Sequence, residues 1–400
     1  MALEKTNFRF LTSIKNKTFV LFGSGNIANK TIRGLSKKNI SHIVDNSKNL
    51  QGDEYKGLKI KNPDSLDKDK HIVLICSTAI SSISEQLNKM GFNENKNYFS
   101  SPVINDLLVI DQIENINCEF YFTSGTASNK NDKYGGGLYK CVVRGDNHEL
   151  HQLYKGPCYG AVGVNKDIYF IDTDAGVHCL SNKEQITKKS DLPKGARAHG
   201  ISFNEDNGNF YVTCSYLDAV LEYDNKFNLI KTFKLSNKID ETNEPMHHCN
   251  DNFSIGNSLF VSMFSSSGNW KLDAFDGCIA EFDISTGERL NDVASGLYMP
   301  HNVKIYNSSI HVLDSLPGHL RYGNLEVQST FPAFARGLDC YGGYYFIGQS
   351  KNRNYSRVIG LSNNISIDCG VVVWDPSLKI SRFLQFPNHI GEVHSIVVSN

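Results

Sequence analysis

No stretch of eighteen apolar residues occurs in the 400-residue chain, and its start, Met1-Ala2-Leu3-Glu4-Lys5-Thr6, leads into no apolar signal core. With nothing long enough to cross a bilayer as a helix, a cytoplasmic protein without a membrane partner is the expectation. Charge of either sign is not in surplus. The 41 Lys and Arg residues stand against 42 Asp and Glu, so no bulk field draws in nucleic acid or an anionic surface. Cysteine occurs ten times but always singly, at 76, 118, 141, 158, 179, 214, 249, 278, 340 and 369. The absence of any Cys-x-x-Cys argues against a zinc ribbon or a disulfide framework and for a reducing compartment. What remains is an ordinary globular composition, 40% hydrophobic and 21% charged, in a chain too long for one core. Two domains are expected.

The first domain is expected over residues 1–117. Thr18-Phe19-Val20-Leu21-Phe22 is a continuous apolar run of the kind that forms a buried parallel strand. It feeds into Gly23-Ser24-Gly25-Asn26-Ile27-Ala28, and helical spacing continues to Leu35. A strand, a glycine turn and a helix in this order form a phosphate cradle, because the helix N-terminus offers free N–H groups and the glycines let a phosphate approach. His42-Ile43-Val44-Asp45 reads as the next strand and ends in an acid 22 residues after Gly23, where a carboxylate would take ribose hydroxyls. A later strand, His71 to Cys76, ends in Ser77. Gly23, Ser24, Gly25, Asn26, Ile27, Asp45 and Ser77 are therefore candidate cofactor-binding residues. The bland alternative is that the glycines serve only the turn and that Asp45 caps a loop.

With Ile43-Val44-Asp45-Asn46, Gly57-Leu58-Lys59-Ile60 and Asn62-Pro63-Asp64-Ser65-Leu66, residues 17–105 resemble the small Rossmann modules attached to sugar-modifying transferases and to acetyltransferases acting on nucleotide-linked sugars. The resemblance implies a Pro-x-x-Leu helix after the Gly-x-x-Ile strand, and either a nucleotide-sugar or NAD(P) as ligand.

From Cys118 the pattern changes to short β runs separated by Gly, Asn and Asp, such as Ile168–Ile171, Phe210–Cys214, Leu259–Phe264 and Tyr344–Ile347. Before many of these runs a polar or aromatic residue opens a shorter strand: Tyr159-Gly160, His199-Gly200, His247-His248-Cys249-Asn250, His301-Asn302, Arg336-Gly337 and Val393-His394. Six such starts, 35 to 58 residues apart, predict the inner strands of a six-bladed β-propeller over 118–400. The run Glu119–Gly125 lacks an inner strand, and Glu392–Val398 is an inner strand without a blade. Joining the two closes the ring and removes exposed edges. The predicted fold class is thus an α/β Rossmann-like domain followed by an all-β six-bladed propeller.

The propeller segment, through Arg336-Gly337-Leu338, Phe346 to Arg353, Cys369 to Asp375 and Gly391-Glu392-Val393-His394, resembles a family of bacterial propeller proteins known only as a domain of unknown function. Its usual members lack an N-terminal module, which implies a specialised, sugar-directed branch here. No reaction is implied by that family.

Histidine supplies only 13 of 400 residues, yet it recurs at four of the six starts. Inner-strand starts line one end of a propeller's channel, so His199, His248, His301 and His394 are candidate ligands of a divalent metal ion. His247 replaces His248 if the register slips by one. Glu392 shares a face with His394 and is a candidate ligand, orienting acid or general base. Arg336 suits an oxyanion and Tyr159 a proton transfer. A metal-free pocket and a purely structural polar plug are the competing readings. Asp251, Asp314 and Arg353 are candidate supports, and Trp270, in a long loop over 265–276, is a candidate stacking surface for a sugar. The expected function is a metal-dependent enzyme acting on a nucleotide-linked sugar or related polar small molecule in surface-glycan biosynthesis. The alternatives are an NAD(P)-dependent sugar oxidoreductase and a non-catalytic glycan-binding or scaffold protein.

Overall fold

In the computed structural model, residues 7–14, 17–125, 135–272, 274–351 and 365–399 are described. Arg353 lies outside them. The chain divides into two units, Met1–Glu114 and Asn115–Asn400. Among the described residues, strands form one six-stranded sheet in the first unit and six four-stranded sheets in the second. No helix among them is long and apolar enough to cross a membrane.

In the first unit, Val20, Leu21 and Phe22 are buried on both faces of the sheet, as an uninterrupted apolar run requires. The helix Asn26–Leu35 follows them. Beyond that point the Rossmann-like expectation is overturned. The segment after Ile40–Val44 forms no helix, because residues 45–53 carry turn formers and no apolar period. It makes an antiparallel hairpin, Glu54–Tyr55 on Leu58–Lys61, turning at Gly57 with φ +73°. The resulting sheet is mixed. Its order is Glu54–Tyr55, Leu58–Lys61, Ile40–Val44, Thr18–Phe22, His71–Ile75 and Tyr98–Ser100. The expected Pro-x-x-Leu helix is a single 3-10 turn, Pro63–Ser65, which Asn62 caps by accepting from the Asp64 N–H at 2.8 Å. Only two ten-residue helices, Asn26–Leu35 and Ile80–Lys89, cross between described strands of this sheet. A small mixed sheet with few helices stands where a Rossmann-like nucleotide-binding domain was expected.

The second unit is a six-bladed propeller. Its inner strands are Cys158–Val164, Ala198–Asn204, Cys249–Ile255, Pro300–Tyr306, Phe334–Tyr341 and Ser395–Val398. The last pairs antiparallel with Asn117–Ser124, so both ends of the unit build one blade. Blades stack face to face around the axis, which buries both faces of the middle strands and leaves the outermost ones half exposed. Phe210–Cys214 is almost wholly buried, whereas Leu229–Lys234 buries only Phe233. Tyr211, Phe233, Val261, Cys278 and Phe282 fill the space between two neighbouring blades. Turns after third strands use one device: Asp224, Asp283 and Asp375 each accept backbone N–H groups two and more residues on, which fixes the hairpin to the outer strand.

Where inner strands approach the axis, backbones touch and side chains must vanish. A Cβ on Gly160 would lie 2.6 Å from the carbonyl oxygen of His199 and 2.8 Å from the Ile201 nitrogen. Backbone atoms cannot swing aside as a flexible side chain can. Gly160→Ala is therefore expected to cost about 1–3 kcal/mol, the range for overpacking, read as a lower thermal midpoint. An unchanged midpoint would show that the two strands can part freely.

Candidate functional site: a ring of imidazoles at one end of the channel

Tyr159, His199, Asn250, His301 and Arg336 each stand five residues before the last residue of their inner strand, at Val164, Asn204, Ile255, Tyr306 and Tyr341. His394 immediately precedes Ser395–Val398, and its N–H donates to the Thr123 carbonyl at 2.8 Å. These six form one row around the axis. The position that sequence reasoning gave to His248 is thus held by Asn250. His248 sits two residues earlier, in left-handed conformation with φ +53°. Arg197 (φ +42°) and Met299 (φ +55°) occupy the corresponding positions before Ala198-His199 and Pro300-His301.

His248 reaches the ring nonetheless. Its centroid lies 5.8 Å from that of His199, while His199 and His394 are 5.6 Å apart and His301 and His394 5.9 Å. Tyr159 stacks on His199 at 4.8 Å and meets His394 edge-on at the same distance. Behind His248 lie Phe264 at 4.5 Å and Trp270 at 5.0 Å. Trp270 packs on a histidine of the ring. His247 is not in the ring: its Nδ1 bonds the Ser265 carbonyl at 2.9 Å and its Nε2 the Ser236 hydroxyl at 2.6 Å.

The rings are held in defined tautomers. The Asn250 Nδ2 donates to the His248 carbonyl, which turns its Oδ1 toward His199 Nδ1 at 3.0 Å. That nitrogen must carry the proton, and Nε2 holds a lone pair. The Nε2 is buried and has no hydrogen-bond partner among the described residues. His301 repeats the scheme, with Nδ1 donating to the Met299 carbonyl at 2.9 Å and lying 2.8 Å from Ser315 Oγ, which itself donates to Ala335.

Burial is the largest reason these rings stay neutral. It brings the pKa of His199 down to about 3, with Arg197 and Arg336 adding repulsion and the Asn250 bond opposing. His248 and His301 are pushed well below 6.5, first by burial and then by neighbouring positive charge. Arg336 is the source common to all three. Its guanidinium lies over the Phe334 ring at 4.6 Å and is ion-paired with the buried Glu392 carboxylate. Glu392 thus meets Arg336, the residue of the ring that could otherwise carry a net charge.

Sequence reasoning missed three supports. Asp218, 1% exposed, accepts the backbone N–H groups of Met246, His247 (3.0 Å) and His248 (3.2 Å) and so fixes the turn that presents His248. Asn250 and Ser315 set tautomers as described. Asp314, within the blade of His301, braces the turn before that residue by accepting the Tyr298 N–H at 2.7 Å and pairing with Arg321.

The nucleotide residues have other occupations. The Asp45 carboxylate accepts from Ser24 N at 3.1 Å and Ser24 Oγ at 2.8 Å, so it fills the turn that a phosphate would need, and its other oxygen takes Ser47 N. Gly23 (φ +108°) is required by the turn, since a Cβ would come 3.0 Å from the Cys76 carbonyl, whereas one on Gly25 would meet nothing within 4 Å. Asn26 starts the helix, Ile27 packs into both cores, and Ser77 Oγ caps Ala79 N. These are turn, capping and packing contacts, and nothing here supports NAD(P), a nucleotide-sugar or a role in glycan assembly.

For a divalent ion the fit is one of chemistry and spacing. Imidazoles bound to one ion at about 2.1 Å would have centroids roughly 5–6 Å apart, the spacing found for His199 with His248, His199 with His394 and His301 with His394. Among the described residues no group of three or more His, Cys, Asp or Glu side chains is already arranged as a metal site. Ring rotation would have to complete one.

The fold and this ring define a six-bladed propeller with a neutral imidazole cluster and a charge-paired arginine at one end of its channel. The chain belongs to the family described as a domain of unknown function (DUF4915), whose model matches residues 186–400. A second model, described as C2185-like, N-terminal, matches residues 15–98. No curated protein matches. Among solved structures, a chain of a nidogen/laminin complex is 12% identical, with 71% of this chain and 98% of that chain covered and a TM-score of 0.49. A protein of unknown function from Bacteroides caccae is 14% identical, with 71% and 99% covered and a TM-score of 0.48. Regucalcin, a calcium-binding protein from Agrobacterium tumefaciens, is 12% identical, with 55% and 70% covered and a TM-score of 0.39.

Proposed function

We propose that the imidazole end of the channel is the active site of a metal-assisted enzyme acting on a small polar molecule that carries an oxyanion. One observation carries the reading: the Nε2 of His199 is oriented by Asn250, buried, and left without a partner among the described residues. A lone pair desolvated and unused costs about 1–3 kcal/mol, and a cation is the ligand that a neutral imidazole lone pair suits. His199 and His301 would hold it through Nε2, with His394 and His248 within reach. When bound, a divalent cation supplies a Lewis acid for a carbonyl or hydroxyl oxygen. Arg336 would seat the oxyanion, Glu392 would release it from its own ion pair and accept a proton, and Tyr159, stacked on His199, would move a second one.

The test is elemental analysis of the purified protein beside a His199→Ala/His301→Ala double variant. Near-stoichiometric metal in the wild type, lost in the variant together with any metal-induced rise in melting temperature, is the expected result. Metal-free protein, unaffected by added Zn²⁺, Mn²⁺ or Mg²⁺, overturns the reading.

A further inference from the structure

The inner strands lead from the imidazole row to a second feature at their other ends. The residues that follow the row are Gly160, Gly200, Asp251, Asn302, Gly337 and Ser395. Here Asn302 bridges the ring, its Nδ2 donating to Asp251 and its Oδ1 accepting from Gly337 N. Beyond them the channel widens into a cavity of about 930 Å³ with Asp251 and Asn302 in its wall and none of the imidazoles. That volume lies within the roughly 300–1,000 Å³ typical of small-molecule sites.

We propose that this funnel is a second binding site, shaped for a small organic cation: a primary amine whose ammonium rests on Asp251 and whose apolar body lies along the aromatic wall. The charged residues in the funnel wall are Glu119, Asp251, Asp339, Lys304 and the exposed Lys166, and the way the carboxylates are paired decides the sign of the ligand at the floor. Asp339 is ion-paired with Lys304 at 2.7 Å and also takes the Val398 N–H; Glu119 is paired with Lys140 at 2.9 Å. Asp251 is different. Among the described residues it accepts from Asn252 N at 3.0 Å and from Asn302, and no cation touches it. Burial is the main cause that brings its pKa up to about 7; the backbone N–H groups of Asn252 and Asn302 and the charge of Lys304 oppose it only in part, and the Lys304 ammonium is ion-paired with Asp339.

The space for it is provided by a glycine, since a Cβ on Gly200 would lie 2.5 Å from Asp251 Oδ1. Half-buried Tyr121, Phe203, Phe253 and Tyr306 line the same cavity. Aromatic faces attract cations, most strongly when water is excluded. One carboxylate is too few oxygen donors for a hard metal ion, and it repels an anion. An ammonium on an apolar stem satisfies both the floor and the wall.

The proposal does not depend on the metal reading, and calorimetry separates the two. The probes are 2-phenylethylamine, its neutral analogue 2-phenylethanol and the anion 3-phenylpropionate, titrated into the full-length protein. The amine is expected to bind about 10- to 100-fold more tightly than the alcohol, the ratio that one charged hydrogen bond carries, and the acid not at all. Asp251→Asn, which preserves shape, should abolish that preference, and His199→Ala/His301→Ala should leave it intact. Should the asparagine variant fail to fold, Phe253→Ala at the wall serves instead and should weaken the amine severalfold. Equal binding of amine and alcohol, no binding of the amine at millimolar concentration, or unchanged amine affinity in both Asp251→Asn and Phe253→Ala overturns the proposal.

Discussion

Asp218→Ala is expected to lower the thermal midpoint of the propeller by about 10 °C and to displace His248 from the ring. The carboxylate is buried and accepts three successive backbone N–H groups, from Met246, His247 and His248. Alanine leaves all three donors in a dry interior. At about 1–3 kcal/mol for each unsatisfied group, with some relief from local rearrangement, the loss is about 4 kcal/mol, and a domain of this size shifts by about 2–4 °C per kcal/mol. Asp218→Asn keeps one acceptor oxygen and should lose roughly half as much. Differential scanning calorimetry gives the first number. The second consequence is read from Trp270, whose ring lies 5.0 Å from that of His248: its emission should shift when the histidine leaves. A midpoint within about 3 °C of wild type, equivalent to a loss of only about 1 kcal/mol, would mean that water reaches these amides and that the clamp is dispensable.

The second large effect is acid sensitivity of the metal-free protein, stripped with a chelator. His199 is neutral in the fold down to about pH 3 but titrates near 6.5 in the unfolded chain. Between those values the unfolded state binds more protons. The stabilisation is therefore complete above pH 6.5 and is lost as pH falls toward 3. Two pH units below 6.5 cost about 3 kcal/mol for this one residue. His248 and His301 are shifted in the same direction by burial and by their neighbours. Asp251 works the other way, since its folded pKa of about 7 exceeds its ordinary 3.8 and it gains stability as pH falls through that interval. One carboxyl offsets about one imidazole, so the net loss is carried by the remaining rings, whose folded pKa values burial holds well below 6.5. Stability is expected to fall steadily as pH drops below about 6.5, with a shallower decline in His199→Asn. Urea titrations at stepped pH measure it. Stability that stays level from pH 7 to 4.5 would show that the imidazoles are hydrated.

The blade count could be read from the chain because each inner strand announces itself with a polar residue, then glycine or a small side chain, before an apolar run. The imidazole cluster was legible for the same reason at His199, His301 and His394. At His247-His248-Cys249-Asn250 it found the histidine that reaches the ring but misplaced it by two residues, because two histidines drew attention from the asparagine that occupies the row. What decides that register is a left-handed φ at His248, enforced by a carboxylate thirty residues earlier, and no local pattern records such a bond. The first unit failed in the opposite way. Thr18–Phe22 and the helix from Asn26 are where a nucleotide fold would put them, but a local signature says nothing about the following connection. Residues 45–53, rich in turn formers, determined that a hairpin and not a helix would come next.

The pairing of Ser395–Val398 with Asn117–Ser124 also imposes an order in time. Synthesis runs from the N-terminus, and the strand that completes the first blade is made after every other described strand of the second unit. Glu392 and His394 travel with it. Five blades can stack on the ribosome while the ring still lacks its ion-pair acid and one imidazole, and the closing contact joins segments far apart in sequence, the slowest kind to form. A nascent or clipped chain without this segment is therefore a propeller in most of its contacts with its ring of side chains left open, because Arg336 has lost the Glu392 carboxylate and His199 and His301 the neighbouring His394 ring.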